Sequence, residues 1–317
     1  MNQHVESWIE QLRAGDVRAL ARAISAVENR APGWSDLLKA LFSHSGRARV
    51  IGLTGSPGAG KSTLVDHLAR LYRKQNRTVG IIAVDPTSPY TGGAILGDRI
   101  RMQEHFSDAG IYIRSMATRG SLGGLARTTA DVTTVLDASG RDVILIETVG
   151  VGQDEVDIVR LADITIVILV PGMGDDVQTI KAGIMEIADI FVINKSDHDG
   201  AERVEREIRG LQSLATRHDG WTPPIVKTVA SEGKGVEELA AAIATYEAYL
   251  QKENLALKKS VENWQERLVE MLRDAMLEKA RAQLGDGNVA RLAAEVAEHK
   301  RDPYTLVEEI AAKAGGG

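Results

Sequence analysis

The stretch Gly55-Ser56-Pro57-Gly58-Ala59-Gly60-Lys61-Ser62 matches Gly-x-x-x-x-Gly-Lys-[Ser/Thr] at every fixed position. It follows the apolar run Val50-Ile51-Gly52-Leu53 and precedes the amphipathic run Thr63 to Arg73, the strand–loop–helix setting this pattern requires. Glycines let successive backbone N–H groups turn inward around phosphate oxygens. A helix beginning near Lys61 adds the positive end of its dipole at the same point. Lys61 is placed to bridge the β- and γ-phosphates of a nucleotide. The Ser62 hydroxyl, with Thr63 beside it, can coordinate Mg²⁺, which prefers oxygen ligands. A ligand-free glycine turn is the alternative, and the agreement of motif, strand and helix decides against it.

Outward from this loop, residues 46–250 alternate short β-branched runs with longer amphipathic stretches, the pattern of a mainly parallel sheet flanked by helices. Seven runs read as strands: Val50 to Leu53, Val79 to Val84, Ile111 to Met116, Val143 to Ile146, Ile164 to Val170, Ile190 to Ile193 and Ile225 to Val229. Several are apolar without alternation, as expected of strands covered on both faces. Residues 1–45 read as a helical N-terminal extension: Val5 to Arg13, Val17 to Asn29, and a third piece reaching Ser43 after the break at Pro32-Gly33. Residues 251–317 turn to Glu, Lys, Leu and Ala. There Val261 to Leu284 reads as one long helix, followed by a Gly285-Asp286-Gly287 break and two further helical pieces. Appended helices of this kind often pack against a second subunit; folding back on their own sheet is the other reading.

In a parallel sheet the chemistry gathers at the carboxyl ends of strands. Two such ends carry carboxylates: Asp85 in Val84-Asp85-Pro86-Thr87-Ser88, and Glu147 in Glu147-Thr148-Val149-Gly150-Val151-Gly152-Gln153. The second is a DxxG-like element in which Glu147 takes the acidic place and Gly150 offers an N–H to the γ-phosphate. Gln153 is a candidate for orienting the attacking water. Asn194-Lys195-Ser196-Asp197 follows the sixth run and matches NKxD, whose Asp accepts hydrogen bonds from guanine N1–H and the exocyclic amine. Adenine presents neither group in that arrangement, so the expected ligand is GTP or GDP. Farther on, Ser231 and Gly233 stand where backbone N–H groups could meet guanine O6.

Composition narrows the classes. The 317 residues are 44% hydrophobic and 26% charged, ordinary values for a folded chain. A net charge of -6 argues against a broad phosphate-neutralising surface, and hence against nucleic acid as partner. There is no cysteine, so any metal is held by oxygen or His. The start MNQHVESWIEQLRAGD has neither a signal-peptide nor a transit-peptide layout, and the longest apolar run, Ile164 to Pro171, is too short to cross a bilayer. A cytoplasmic protein with no membrane partner is expected.

Taken together these elements resemble the MeaB/ArgK family, the metallochaperone-type GTPases that serve adenosylcobalamin-dependent acyl-CoA mutases. The telling segments are Val84 to Ser88, Gly92-Gly93-Ala94-Ile95-Leu96-Gly97-Asp98-Arg99, Ala117-Thr118-Arg119-Gly120-Ser121-Leu122-Gly123-Gly124-Leu125, Glu147 to Gln153, and Pro171-Gly172-Met173-Gly174-Asp175-Asp176-Val177-Gln178. The resemblance implies a homodimer with Mg²⁺ held by Ser62, Asp85, Asp98 and Glu147 at different stages of the cycle. It also implies a segment, Pro171 to Lys181, in which Asp175, Gln178 and Lys181 link nucleotide state to the partner mutase. On their own these residues read as a loop and the first turn of a helix, with Asp175 an N-cap and Lys181 a solvated charge. Arg99, Arg101 and Arg119 likewise read as solvated charges or as contacts for phosphate or a partner carboxylate. The implied role is to load intact cofactor onto the mutase and protect or rescue it, with GTP hydrolysis gating transfer.

The Asp-x-His-x-x-Gly pattern of a cobalamin-binding domain is absent; Asp66-His67, on the helix after the phosphate loop, is its nearest approach. The mutase is therefore expected to carry the cobalamin. A nickel-insertion GTPase would show Cys or a His-rich tract. A transport-linked kinase acting on a periplasmic binding protein is the runner-up, since nothing in the sequence specifies its phosphoacceptor. A translation or secretion GTPase would add basic surface that this acidic chain lacks.

Overall fold

The computed structural model describes residues 3–85, 108–117, 124–148, 150, 161–172, 187–214, 219–252, 255–284 and 288–315. Among the described residues seven strands form one sheet: β1 (Arg49–Thr54), β2 (Val79–Asp85), β3 (Ile111–Ala117), β4 (Val143–Glu147), β5 (Ile164–Leu169), β6 (Ile190–Ile193) and β7 (Ile225–Lys227). Their order is β3-β2-β4-β1-β5-β6-β7, and every neighbouring pair is parallel. The α/β class and the seven strands expected from the sequence are those observed.

Every residue of β4, β5 and β6 is buried, which is why these strands read as continuous apolar runs. Alternate residues feed opposite faces. Ile51, Leu53, Leu145, Ile166 and Ile168 pack with Leu64 and Leu68 of α4 (Lys61–Lys74) and with Leu239, Ile243 and Tyr246. On the other face, Ile82, Ile144 and Ile146 pack with Leu20 and Ile24 of α2 (Val17–Glu28), Leu37 and Leu41 of α3 (Trp34–Phe42), and Val132 and Val135 of α5 (Gly124–Ala138). The first three helices, beginning with α1 (Gln3–Arg13), therefore share a core with the sheet. Polar ties also hold this part of the chain: a half-buried bidentate pair of Arg114 with Glu28, and the Asp137 carboxylate, which accepts backbone N–H bonds from Gly46, Arg47 and Ala48. Val167, Leu169, Phe191 and Ile193 pack with Val204 and Ile208 of α6 (Ala201–Leu214).

The chain divides into two compact units, Met1–Leu257 and Lys258–Gly317. The first ends on α7 (Val236–Lys252) and the start of α8 (Leu255–Leu284). The second holds the rest of α8, α9 (Asn288–Ala297) and α10 (Pro303–Gly315). No residue of α8 is buried, and Leu268, Val269 and Leu272 stand well over half exposed. Among the described residues no helix is long and apolar enough to cross a membrane.

The candidate nucleotide site

The carboxyl ends of β1, β4, β6 and β7 bring distant segments to one edge of the sheet. After β1 the chain turns through Gly55 at φ 145°, Gly58 at φ 77° and Gly60 at φ 91° before α4 begins at Lys61. Gly55 is required twice over. Beyond its φ, a Cβ there would stand 2.2 Å from the Ile168 carbonyl oxygen of β5. Lys61, 6% exposed, donates to the Gly55 and Ser56 carbonyls at 2.6 and 3.1 Å, so its ammonium lies along the inner rim of the loop.

Glu147, the last residue of β4, reaches across to this loop. Ser62 Oγ donates to Glu147 Oε1 at 2.6 Å, placing a hydroxyl and a buried carboxylate oxygen side by side at the start of α4. Thr148 follows, held to β1 by its N–H to the Leu53 carbonyl and by a buried contact of its hydroxyl with that of Thr54 at 3.1 Å. Gly150 then meets the phosphate loop directly. At φ 94°, a Cβ on it would come within 2.3 Å of the Gly55 oxygen, 2.7 Å of Lys61 Nζ and 2.9 Å of the Pro57 nitrogen.

Asn194 follows β6 and is 2% exposed. Its side-chain N–H donates to the Ala59 carbonyl at 2.7 Å, while its Oδ1 accepts from Thr228 Oγ1 and the Ala230 N–H at 3.0 Å each. One amide thus ties the phosphate loop to the segment after β7. Lys195 adopts a left-handed φ of 54°, and Asp197 lies exposed beside His198. The other side of this end is a 3-10 turn, Ala230–Glu232, closed by Gly233 at φ 68° and by the antiparallel bridge of Val229 with Lys234. Ser231 is exposed on that turn. Glu232, paired with Lys234 at 2.5 Å, holds the lysine ammonium above its usual range, and Asp197 adds to the same field.

Gly55 to Thr63, Glu147, Gly150, Asn194, Lys195, Asp197, Ser231 and Gly233 are thus gathered on one edge. Asp85 closes β2 at the same edge, pairing in register with Ala117. Asp98, Gln153 and Lys181 lie outside the described residues, as do Arg99, Arg101, Arg119, Asp175 and Gln178. The sequence pattern did not single out Thr54, Thr148 or Thr228. Each acts through a neighbour already named, and a lone threonine at a strand end carries no spacing signal.

The family described as methylmalonyl Co-A mutase-associated GTPase MeaB matches residues 20–284. The chain belongs to this family. A relative from Pyrococcus abyssi, named as a GTPase, is 47% identical over 316 residues, covering 99% of this chain and 98% of that one. GTPase ArgK of Escherichia coli is 38% identical over 250 residues, 76% of each chain. The mitochondrial methylmalonic aciduria type A homolog of Mus musculus is 42% identical over 193 residues, 60% of this chain and 46% of the mouse protein. A solved crystal structure of an LAO/AO transport system kinase superposes with a TM-score of 0.73 at 27% identity, covering 98% of both chains. As a member of the MeaB family, the chain is a guanine-nucleotide-binding GTPase.

Proposed function

We propose that this GTPase is a chaperone that gates adenosylcobalamin loading onto an acyl-CoA mutase, methylmalonyl-CoA mutase or a close relative, and protects or reactivates the loaded enzyme. The observation that carries the reading is the family match across residues 20–284, whose description names a mutase as associate. The client, not this chain, holds the cobalamin.

In this reading the backbone N–H groups of Gly55 to Thr63 cradle the phosphates, and Lys61 moves from the Gly55 and Ser56 carbonyls onto the β- and γ-phosphate oxygens. The Gly150 N–H senses the γ-phosphate. Asp197 reads the guanine N1–H and amine, with Lys195 alongside and the turn at Ser231 and Gly233 facing O6. Ser62 Oγ and Glu147 Oε1, adjacent at 2.6 Å, are hard oxygen donors of the kind Mg²⁺ takes, and Asp85 and Asp98 would complete the set. The ion offsets phosphate charge when bound. Gln153 orients water, while Lys181, with Asp175 and Gln178, reports nucleotide state to the mutase. Residues 1–45, 46–250 and 251–317 serve as helical extension, GTPase domain and dimerisation extension of a cytoplasmic homodimer.

The test is GTP turnover by the purified protein, alone and with methylmalonyl-CoA or isobutyryl-CoA mutase at saturating concentration, with Lys61→Ala as control. Several-fold stimulation, abolished in the control, is expected. Turnover indifferent to every mutase would remove the chaperone reading. Transfer of the γ-phosphate to a protein acceptor instead of water would favour a kinase, the activity by which the superposed LAO/AO transport protein is called.

A further inference from the structure

One side chain lies under the base-reading end of the site without belonging to any motif there. His67 is on α4, six residues beyond Lys61, on the flank that faces the segment after β7. A Cβ built on Gly233 would stand 3.2 Å from His67 Cε1 and 3.4 Å from Nδ1, so the imidazole lies beside Gly233 on the side a side chain would take. The turn above it is held from two other sides. Asn194 Oδ1 fixes the Ala230 N–H, and the Val229–Lys234 bridge closes its mouth. The third support comes from the helix whose first residue is Lys61.

We infer that His67 is a positioning residue for guanine specificity: its ring sets the height of the Ala230–Gly233 turn, and so aims that turn's backbone N–H groups at O6 of the base. The inference rests on the proposed placement of guanine between Asp197 and the Ser231–Gly233 turn. A floor of this kind matters because hydrogen-bond strength falls steeply with misalignment, and a turn with no packing beneath it samples many heights. Left-handed Gly233 supplies no side chain of its own to fill the gap, so the contact must come from below. The ring acts through its shape, and Asp66, its neighbour on α4, is engaged by Arg70 at 3.0 Å.

The experiment measures dissociation constants for GDP and 6-thioguanosine diphosphate by displacement of a fluorescent guanine nucleotide. The full-length wild type is compared with His67→Ala and His67→Phe. The thio analogue keeps the groups read by Asp197 and weakens only the acceptor at position 6. Wild type is expected to prefer GDP. His67→Ala should weaken GDP by roughly tenfold, about one hydrogen bond's worth, and leave the thio analogue nearly unchanged, so the preference collapses. His67→Phe, which restores a flat ring, should recover it. An unchanged GDP preference in His67→Ala overturns the inference, as does an equal loss for both ligands. A wild type that binds both ligands equally fails the underlying placement of guanine instead.

Discussion

Gly150 shows how much a single hydrogen atom decides at this edge. Its φ of 94° costs an L-residue about 1–2 kcal/mol, and an added methyl would overlap the Gly55 oxygen and the Lys61 ammonium. Gly150→Ala should push residue 150 off the phosphate loop and displace Lys61. GTP hydrolysis is expected to fall at least about tenfold, roughly 1.4 kcal/mol of barrier, while GDP affinity changes little because GDP has no γ-phosphate to sense. Single-turnover hydrolysis beside GDP titration checks both halves; parallel losses would place the defect in the loop as a whole. At this scale the sequence marked Lys61, Ser62 and Glu147 as candidates, because phosphate chemistry demands fixed residue types at fixed spacing, and the structure brings all three to one edge. The second task of Asn194 was not legible. Its bonds to Ala59, Thr228 and Ala230 join residues far apart in sequence that only the closed sheet brings together.

At the level of elements, β1 is anchored at the end opposite the phosphate loop. The segment joining α3 to β1 is anchored on the last turn of α5 through Asp137, whose carboxylate collects three N–H groups. Asp137→Ala leaves those donors without an acceptor in a half-buried place and should cost about 2–4 kcal/mol. The urea midpoint should drop with an unchanged slope, and the loss should appear equally with and without GDP. A destabilisation under about 0.5 kcal/mol would mean water replaces the carboxylate at no cost. The elements themselves were nearly all readable, since continuous apolar runs and helical periodicity are strong signals. One boundary moved for a local cause: β7 was expected through Val229 and ends at Lys227. Thr228 N–H still bonds the Ile193 carbonyl, but Val229 turns back to pair with Lys234, and Ala230 is taken by Asn194. β-propensity favours continuing the strand; a polar contact from the residue after β6 ends it.

For the whole molecule, α8 carries the clearest unmet apolar surface. Leu257, Val261, Leu268 and Met271 recur along it at intervals of four, seven and three residues, with Val269 and Leu272 beside them, all exposed. Burying such a stripe against a second copy would recover about 1.5–3 kcal/mol for each large side chain. In the proposed homodimer, Leu268→Glu with Leu272→Glu should halve the mass seen by light scattering and leave GDP affinity intact. A double variant that stays dimeric would put the interface elsewhere. The sequence could mark this helix through its composition and period. The same pattern serves a helix folded on its own core and one paired with a neighbour, so periodicity alone could not assign its partner.

The interleaved order β3-β2-β4-β1-β5-β6-β7 also sets a timetable for the newborn chain. The phosphate loop is translated early, yet two of the three bonds made by Asn194 wait for Thr228 and Ala230. Until Ile225–Lys227 has left the ribosome and docked on β6, the base end has no wall. Long-range pairing of this kind makes assembly late and abrupt. In the proposed site, guanine binding is therefore expected only after the final strand has docked on β6.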